Sequence, residues 1–379
     1  MSKESHIERT ANEPRDPSLH TLTISHITQV TPTIRLFRLQ IHQNDSITFL
    51  AGQWVDLYPP PSSGITKPGG FTITSSPSWS LPSPSSYSTP PYIELAIQSS
   101  PENPPAAYMF QPPAQILHTE VKVRIGGSFV FPPPHLHLHS SPATSIPNSI
   151  DSSSITVPQG SSGEIHASPL PLRKVVLVAS GMGINPLMSM LSFIGEQQHA
   201  LTGTGLEEVR LLYGVRRPRL LSPEQQENGG ESGGRRGNGD KDDNDHGEGG
   251  ILFLERIARI FPRSRGDERG GEGGLVRGGV RLFLTSGNDG SGASAVERDS
   301  GERGRDGGVL KCDHGRIEVP FLRRRMTVRD VEEAIGDDKE GSVVYICGVP
   351  TMTDEFVQAL VSPEGFGMDK NRVLFEKWW

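Results

Sequence analysis

Residues 174–188 read Lys-Val-Val-Leu-Val-Ala-Ser-Gly-Met-Gly-Ile-Asn-Pro-Leu-Met, and no other run in the chain restricts its fold so closely. Val175, Val176, Leu177 and Val178 are apolar without alternation, the pattern of a parallel strand covered on both faces. Gly181 and Gly183 let the backbone turn sharply and approach a ligand closely. Pro186 suits the first turn of a helix, where free N–H groups and the helix dipole attract an anion. The spacing predicts a strand, a pyrophosphate cradle built from Ser180, Gly181, Met182, Gly183, Ile184, Asn185 and Pro186, and then a helix. An ordinary strand-to-helix turn is the competing reading. On the cradle reading, a branched side chain at Gly183 stands between the turn and the phosphates and blocks binding while leaving the fold intact.

Two further segments have the same form. Val343-Val-Tyr-Ile-Cys-Gly-Val-Pro350 is an apolar strand ending in small residues, and Thr351 with Asp354 has the spacing of a capping box opening a helix. Val209-Arg-Leu-Leu-Tyr-Gly-Val-Arg216 is a strand whose end brings Tyr213 and Arg216 toward the same edge, with Arg217 following. Strands that all end in glycine-containing loops are what a doubly wound sheet presents along its ligand crevice, so Cys347, Gly348 and Pro350 join the candidate nucleotide site. From residue 174 onward, five strands at about 175–179, 209–215, 280–285, 343–347 and 372–376 alternate with helices at about 186–197, 251–261, 327–336 and 352–361.

The first half is different in kind. Tyr92–Gln98 and Thr119–Ile125 alternate, burying Ile93, Leu95, Ile97 and Val121, Val123, Ile125, with further strands over Thr33–Ile41 and Gln53–Tyr58. No helix is expected before residue 100, which suits a small closed antiparallel barrel. The fold class expected is thus β plus α/β: an antiparallel barrel over 1–139, a Ser/Pro-rich linker over 140–170, and a five-stranded parallel Rossmann-like unit over 171–379. Low-complexity stretches at about 222–250, 262–279 and 286–309 lack the apolar content to offset ordering entropy and are expected to be disordered insertions.

The chain of 379 residues is long enough for two cores, and its 34% hydrophobic content is depressed locally by these stretches. A net charge of −7, with no basic residues interleaved with aromatics, disfavours nucleic acid as a partner. No apolar run approaches a membrane span, and acidic Glu4, Glu8, Glu13 and Asp16 argue against a targeting peptide, so a soluble intracellular protein without membrane insertion is expected. Cys312 and Cys347 are too few to hold an iron–sulfur cluster, so any such centre belongs to a separate chain. His135, His137 and His139 alternate with leucines, but no second ligand cluster follows; an exposed strand edge is the favoured reading and no metal site is expected.

In sequence, Ala51-Gly-Gln-Trp-Val-Asp56, Gly69-Gly-Phe-Thr-Ile-Thr-Ser-Ser-Pro77, Val123-Arg-Ile-Gly-Gly-Ser-Phe-Val-Phe131, Gly181-Met-Gly-Ile-Asn-Pro186, Cys347-Gly-Val-Pro350 and Phe375-Glu-Lys-Trp-Trp379 follow one another in an order that resembles the ferredoxin-NADP reductase superfamily. Within it, the resemblance is to oxidoreductase NAD-binding domain-containing proteins. The resemblance implies an enzyme with a flavin-binding barrel ahead of a nicotinamide-binding unit, in which NAD(P)H delivers a hydride to flavin N5 and electrons pass to an unknown acceptor, such as a separate redox protein. It also implies that Phe71 stacks on the flavin, the Thr72 hydroxyl meets its N5 edge, Ser75 and Ser76 bond phosphate or ribitol, Cys347 lies beside the nicotinamide, and Trp379 covers the isoalloxazine. Two motif positions depart. Gly69 stands where the family has a phosphate-clamping arginine, leaving Arg124 or Lys67 as substitutes, and Asn103-Pro-Pro-Ala106 stands where Gly-x-x-Ser belongs. Ser286 followed by Gly287 points to NADH, while Arg216 and Arg217 keep NADPH open. Cytoplasm is the first expectation for location and the mitochondrial matrix, where relatives occur, the second. The alternatives are a nicotinamide-binding redox sensor or scaffold with a degenerate flavin site, a pure interaction protein, plain barrel packing for Phe71, and a tryptophan plug for Trp379.

Overall fold

The computed structural model describes residues 5–42, 45–82, 90–134, 172–198, 201, 205–216, 250–261, 277–285, 307–312 and 317–377. The histidines at 135, 137 and 139, Arg217, Ser286, Gly287, Trp378, Trp379 and almost all of the expected linker and insertions lie outside them.

The first half forms one six-stranded antiparallel sheet from β1 (His20–Thr31), β2 (Ile34–Ile41), β3 (Trp54–Tyr58), β4 (Gly69–Thr72), β5 (Tyr92–Gln98) and β6 (Glu120–Gly126), ordered β4-β3-β6-β1-β2-β5. Its edges meet: Ile73 bridges Leu95, and the Thr74 N–H donates to the Glu94 carbonyl at 2.8 Å, so the sheet curls round a single core. The expected inward residues Ile93, Leu95, Ile97, Val121, Val123 and Ile125 are all at most 3% exposed, each contributing about 1.5–3 kcal/mol of burial. Three short helices decorate the barrel: α1 (His6–Arg9), α2 (Pro104–Met109) and α3 (Pro113–Ile116). The first corrects the expectation of no helix before residue 100. It is a single turn held by a capping box of Ser5 and Glu8, too short to leave a periodic signal.

The second half contains the five expected parallel strands, β7 (Lys174–Ser180), β8 (Glu208–Arg216), β9 (Arg277–Thr285), β12 (Ser342–Gly348) and β13 (Val373–Lys377), with α4 (Ile184–Glu196), α5 (Leu254–Ile260), α6 (Val328–Ile335) and α7 (Pro350–Val361). Two more strands go beyond that expectation. β10 (Gly307–Cys312) and β11 (Ile317–Leu322) pair antiparallel and extend the sheet beyond β9, giving the order β10-β11-β9-β8-β7-β12-β13. β10 begins inside the stretch expected to be disordered, because hydrogen bonding to β11 supplies what its Gly-Gly start lacks in propensity. Thr351 and Asp354 do not form the expected capping box: Pro350 already opens α7, and Asp354 instead pairs with Lys377 on β13 at 2.6 Å.

Chain order runs from β7 outward to β8 and β9, then returns to place β12 on the other side of β7. The reversal makes the loops after β7 and β12 a topological switch point, where open α/β sheets bind ligands. The barrel is packed against this sheet. Leu36, Ala51, Ala96 and Phe131 from the first half share one buried cluster with Ile184, Leu187, Met188 and Met190 of α4.

Candidate nucleotide site at the switch point

The glycine-rich turn is a 3-10 turn over Gly181–Gly183 that runs directly into α4. Its two glycines have separate reasons to be glycine. Gly181 is exposed, adopts φ +56°, and has no atom within 4 Å of the place where a Cβ would project. The space above it is open to a ligand. Gly183 is buried, and a Cβ there would fall 2.8 Å from the Gly348 nitrogen and closer still to the Cys347 carbonyl. Its lack of a side chain lets the turn press onto β12, so the expectation that a branched residue at Gly183 would spare the fold is corrected. Gly348 has a similar role, since a Cβ on it would meet Met352 and Ser180.

Of the remaining expected cradle residues, Ser180 ends β7 half-buried and Met182 is half-buried on the turn. Ile184, Asn185 and Pro186 are fully buried in the first turn of α4. Asn185 Nδ2 donates to the Ala96 carbonyl on β5 at 3.0 Å, while its Oδ1 is buried without a partner. That side chain ties the helix to the barrel. Cys347 is fully buried in register with Ala179 on one side and Glu376 on the other, so its backbone lines the switch point. Pro350 starts α7 behind an exposed Val349. Tyr213 does not reach the loops: it is 1% exposed within the core, and burial holds its hydroxyl pKa well above the ordinary range. Arg216 is exposed at the end of β8, in register with Thr285. Trp379 lies outside the described residues.

A group that the sequence does not single out stands beside Cys347. Glu376 flanks a cavity of about 290 Å³ lined also by Glu13, Phe129, Val130, Leu374 and Phe375. Burial, then the nearby charge of Glu13, pushes its carboxyl pKa up to about 8, and its Oε2 has no hydrogen-bond partner. Its place in the terminal Phe375-Glu-Lys-Trp-Trp motif is legible, but its burial depends on the barrel segment at 128–134 folding over β13.

The expected flavin residues have other surroundings. In the β3–β4 register, Phe71 lies opposite Val55 and Gly69 opposite Leu57, and Val55, Leu57 and Phe71 belong to the barrel core. Phe71 is 6% exposed, and its ring together with Pro105 fills the space where a Gly69 side chain would begin. Thr72 is fully buried, with its hydroxyl unpartnered. Ser75 Oγ accepts from the Glu94 N–H at 3.0 Å, and the Ser75 carbonyl accepts from Ser189 Oγ of α4 at 2.7 Å. Ser76 Oγ donates to Glu196 at 2.6 Å, alongside Trp79 Nε1 at 2.5 Å. Arg124 is held by Asp56 at 2.6 Å, and Lys67 is exposed. α2 opens on Pro104 and Pro105, which have no N–H, and the Ala107 N–H is spent on the Asn103 carbonyl at 2.9 Å, so an anion finds few donors there. These residues do not fit a flavin seated in the manner that the resemblance implies.

No family model matches the chain. Among curated proteins, it is 31% identical over 385 residues to oxidoreductase NAD-binding domain-containing protein 1 of Danio rerio, covering 99% of this chain and 97% of that protein. The protein of the same name from Xenopus tropicalis is 27% identical over 389 residues (99% and 84% covered), and that from Homo sapiens 25% over 386 residues (100% and 85%). Among solved structures, the ferredoxin reductase in carbazole 1,9a-dioxygenase is similar with a TM-score of 0.50 at 13% identity (97% and 71% covered). A ferredoxin NADP+ reductase from Neisseria gonorrhoeae with bound FAD and NADP has a TM-score of 0.50 at 13% identity (96% and 100%). These structures share the two-part ferredoxin-reductase fold. With a relative above 30% identity matched over nearly its whole length, the chain belongs to the oxidoreductase NAD-binding domain-containing protein 1 family.

Proposed function

We propose that the protein is an NAD(P)H-dependent oxidoreductase that holds its nicotinamide nucleotide at the switch point between β7 and β12. The observation that carries this reading is the open, left-handed Gly181 at the start of α4, with Gly183 pressed onto β12 so that the turn is rigid. Backbone N–H groups of the turn and the positive end of α4 would hold the pyrophosphate. The nicotinamide ring would lie toward the end of β12, where the buried Cys347 and Gly348 form the floor of the switch point beneath the turn. A bound nicotinamide supplies a hydride to an acceptor; the chain's part is to fix its orientation and keep water out, which the cluster shared between barrel and α4 serves. NADH is the favoured form, since Gly287 follows Ser286 where an arginine would grip a 2′-phosphate, while Arg216 and Arg217 keep NADPH open. The acceptor is proposed to be a separate redox protein whose own two-electron carrier takes the hydride, and the location cytoplasmic before mitochondrial.

Fluorescence titration of the full chain with NADH and NADPH tests the reading. Saturable binding, tighter for NADH, and its loss in Gly181→Val are expected; absence of binding by the unaltered chain refutes it. A second reading, a nicotinamide-binding redox sensor, is favoured by the flavin residues described above. It predicts the same binding with no NADH oxidation by ferricyanide or quinone acceptors.

A further inference from the structure

The N-terminal segment carries a carboxylate to the edge of the switch point. His6 of α1 lies on Gly70 of β4, where a Cβ would fall 2.5 Å from the imidazole Nε2 and nearer to the rest of the ring, and that Nε2 meets Asp56 Oδ1 at 2.9 Å. Arg15, at the other end of the segment, donates through Nε to Asp56 Oδ2 at 3.1 Å. Between these anchors the backbone is fastened to the end of β6: Arg15 bridges Gly126, and the Gly127 N–H donates to the Pro14 carbonyl at 3.0 Å. Glu13 is thereby held in place, and its Oε2 accepts from the Ser128 N–H at 3.0 Å and from Ser128 Oγ at 2.6 Å.

The cavity beside it has Glu376 as its second acidic wall. Glu376 and Cys347 are partners in the β12–β13 register, so their side chains leave the sheet on the same face, toward the barrel. Lys377, the next residue, projects from the other face and is held by Asp354 of α7 at 2.6 Å. Tyr345, packed against Phe129, gives its hydroxyl to the Val130 carbonyl at 2.8 Å. Among the described residues, no cation lines the cavity, and the Glu376 Oε2 is buried with no hydrogen-bond partner. A buried carboxyl group in such surroundings keeps its proton unless a positive charge arrives. Phe129 and Phe375 line the same space, and the faces of aromatic rings attract cations. A volume of about 290 Å³ lies at the lower end of small-molecule pockets, about 300–1,000 Å³, so the cavity admits a single ring and not a dinucleotide.

We infer that Glu13 and Glu376 form a pair that reads the charge of the nicotinamide ring: the oxidised ring, a cation, is taken with release of the Glu376 proton, and the neutral reduced ring is taken with that proton retained. The inference rests on the nucleotide reading of the switch point. Glu13 is a positioning residue that acts through Glu376. Burial first, and then the charge of Glu13, favour the protonated carboxyl, until the ring's positive charge takes the proton's place. One proton leaves for each oxidised ring that enters, so the net charge inside the cavity is unchanged.

Binding of NAD+ and of NADH to the full chain is measured by calorimetry from pH 6 to pH 9, in two buffers of different protonation enthalpy so that released protons are counted. The NAD+ dissociation constant should fall about tenfold per pH unit up to about pH 8 and then level, as the loss of one proton requires, while that of NADH stays flat over the same range. Glu376→Gln should remove both the slope for NAD+ and the released proton. Glu13→Gln, at a half-buried position, should keep the slope but level at a lower pH. Equal pH dependence for the two nucleotides, or a released proton that persists in Glu376→Gln, overturns the inference and leaves the nucleotide site standing. An unmoved midpoint in Glu13→Gln takes Glu13 out of the pair and overturns it as well. If neither nucleotide binds at any pH, the proposed function fails and the inference fails with it.

Discussion

Replacing Gly183 and Gly181 separately by alanine distinguishes a glycine needed for packing from one needed for a ligand. At Gly183 the new methyl would overlap the β12 backbone at Cys347 and Gly348, in a strand whose residues are all buried and hydrogen-bonded on both sides. Backbone in a central strand cannot swing aside as a side chain tip can, so the cost belongs at the upper end of overpacking, about 3 kcal/mol. For a unit of this size, that lowers the melting temperature by roughly 6–12 °C. At Gly181 the methyl meets nothing, and only the left-handed backbone is penalised, by about 1–2 kcal/mol. Melting should therefore fall much further for Gly183→Ala than for Gly181→Ala. Nucleotide affinity per folded molecule should fall at Gly181, where the methyl enters the open space. Differential scanning fluorimetry and NADH titration on both variants decide it. Equal melting of the two variants, or unchanged affinity in Gly181→Ala, would refute the division of roles.

Three further expectations concern charges. Burial raises the Asp56 pKa, but hydrogen bonds from His6, Arg124 and Arg15 outweigh it and hold the carboxyl at about 2. The ion cluster therefore contributes about 2 kcal/mol that is fully present above pH 4 and lost as the pH falls toward 2; Asp56→Asn should flatten the acid limb of a melting-temperature profile, and an unchanged limb contradicts the assignment. Glu376 has the opposite sign. With its pKa raised from 4.5 to about 8, stability is complete below pH 4.5 and is lost as the pH rises through 8, so Glu376→Gln should melt higher than the unaltered protein at pH 8.5 and equally at pH 4. Parallel profiles would sink that reading. Finally, Arg256 on α5 pairs with the buried Glu94 of β5 at 2.9 and 3.0 Å, joining the two halves. Arg256→Ala should cost about 3–5 kcal/mol by chemical denaturation, largely recovered when Glu94→Gln is added, and no recovery would mean that the loss is packing rather than a stranded charge.

The α/β half is legible in the sequence because its signals are local. Val175–Val178 and Val343–Ile346 are covered on both faces and so read as apolar runs, and each glycine-rich end lies next in sequence to the strand that it terminates. The same locality marks Gly181 and Cys347 as candidates from their neighbours alone. Strands without such marks escape a sequence reading: β1 alternates irregularly with bulges near Ser25 and Val30, β4 has only four residues, and β10 and β11 are stabilised by each other. What β4 does with its residues is not legible at all. A strand's alternation says that Gly69 and Phe71 share one face and Gly70 and Thr72 the other, but a shift of one residue exchanges the faces, and only pairing with Val55 and Leu57 settles which points inward. The reason why Gly183 must be glycine comes likewise from Cys347, 164 residues away, and the cover over Gly70 from His6, 64 residues away. Sequence determined the parallel strands of the second half, the turn and the order of the two halves, because those depend on neighbours along the chain. Tertiary structure alone decided which faces are open to a ligand, because that depends on what the rest of the chain lays over them.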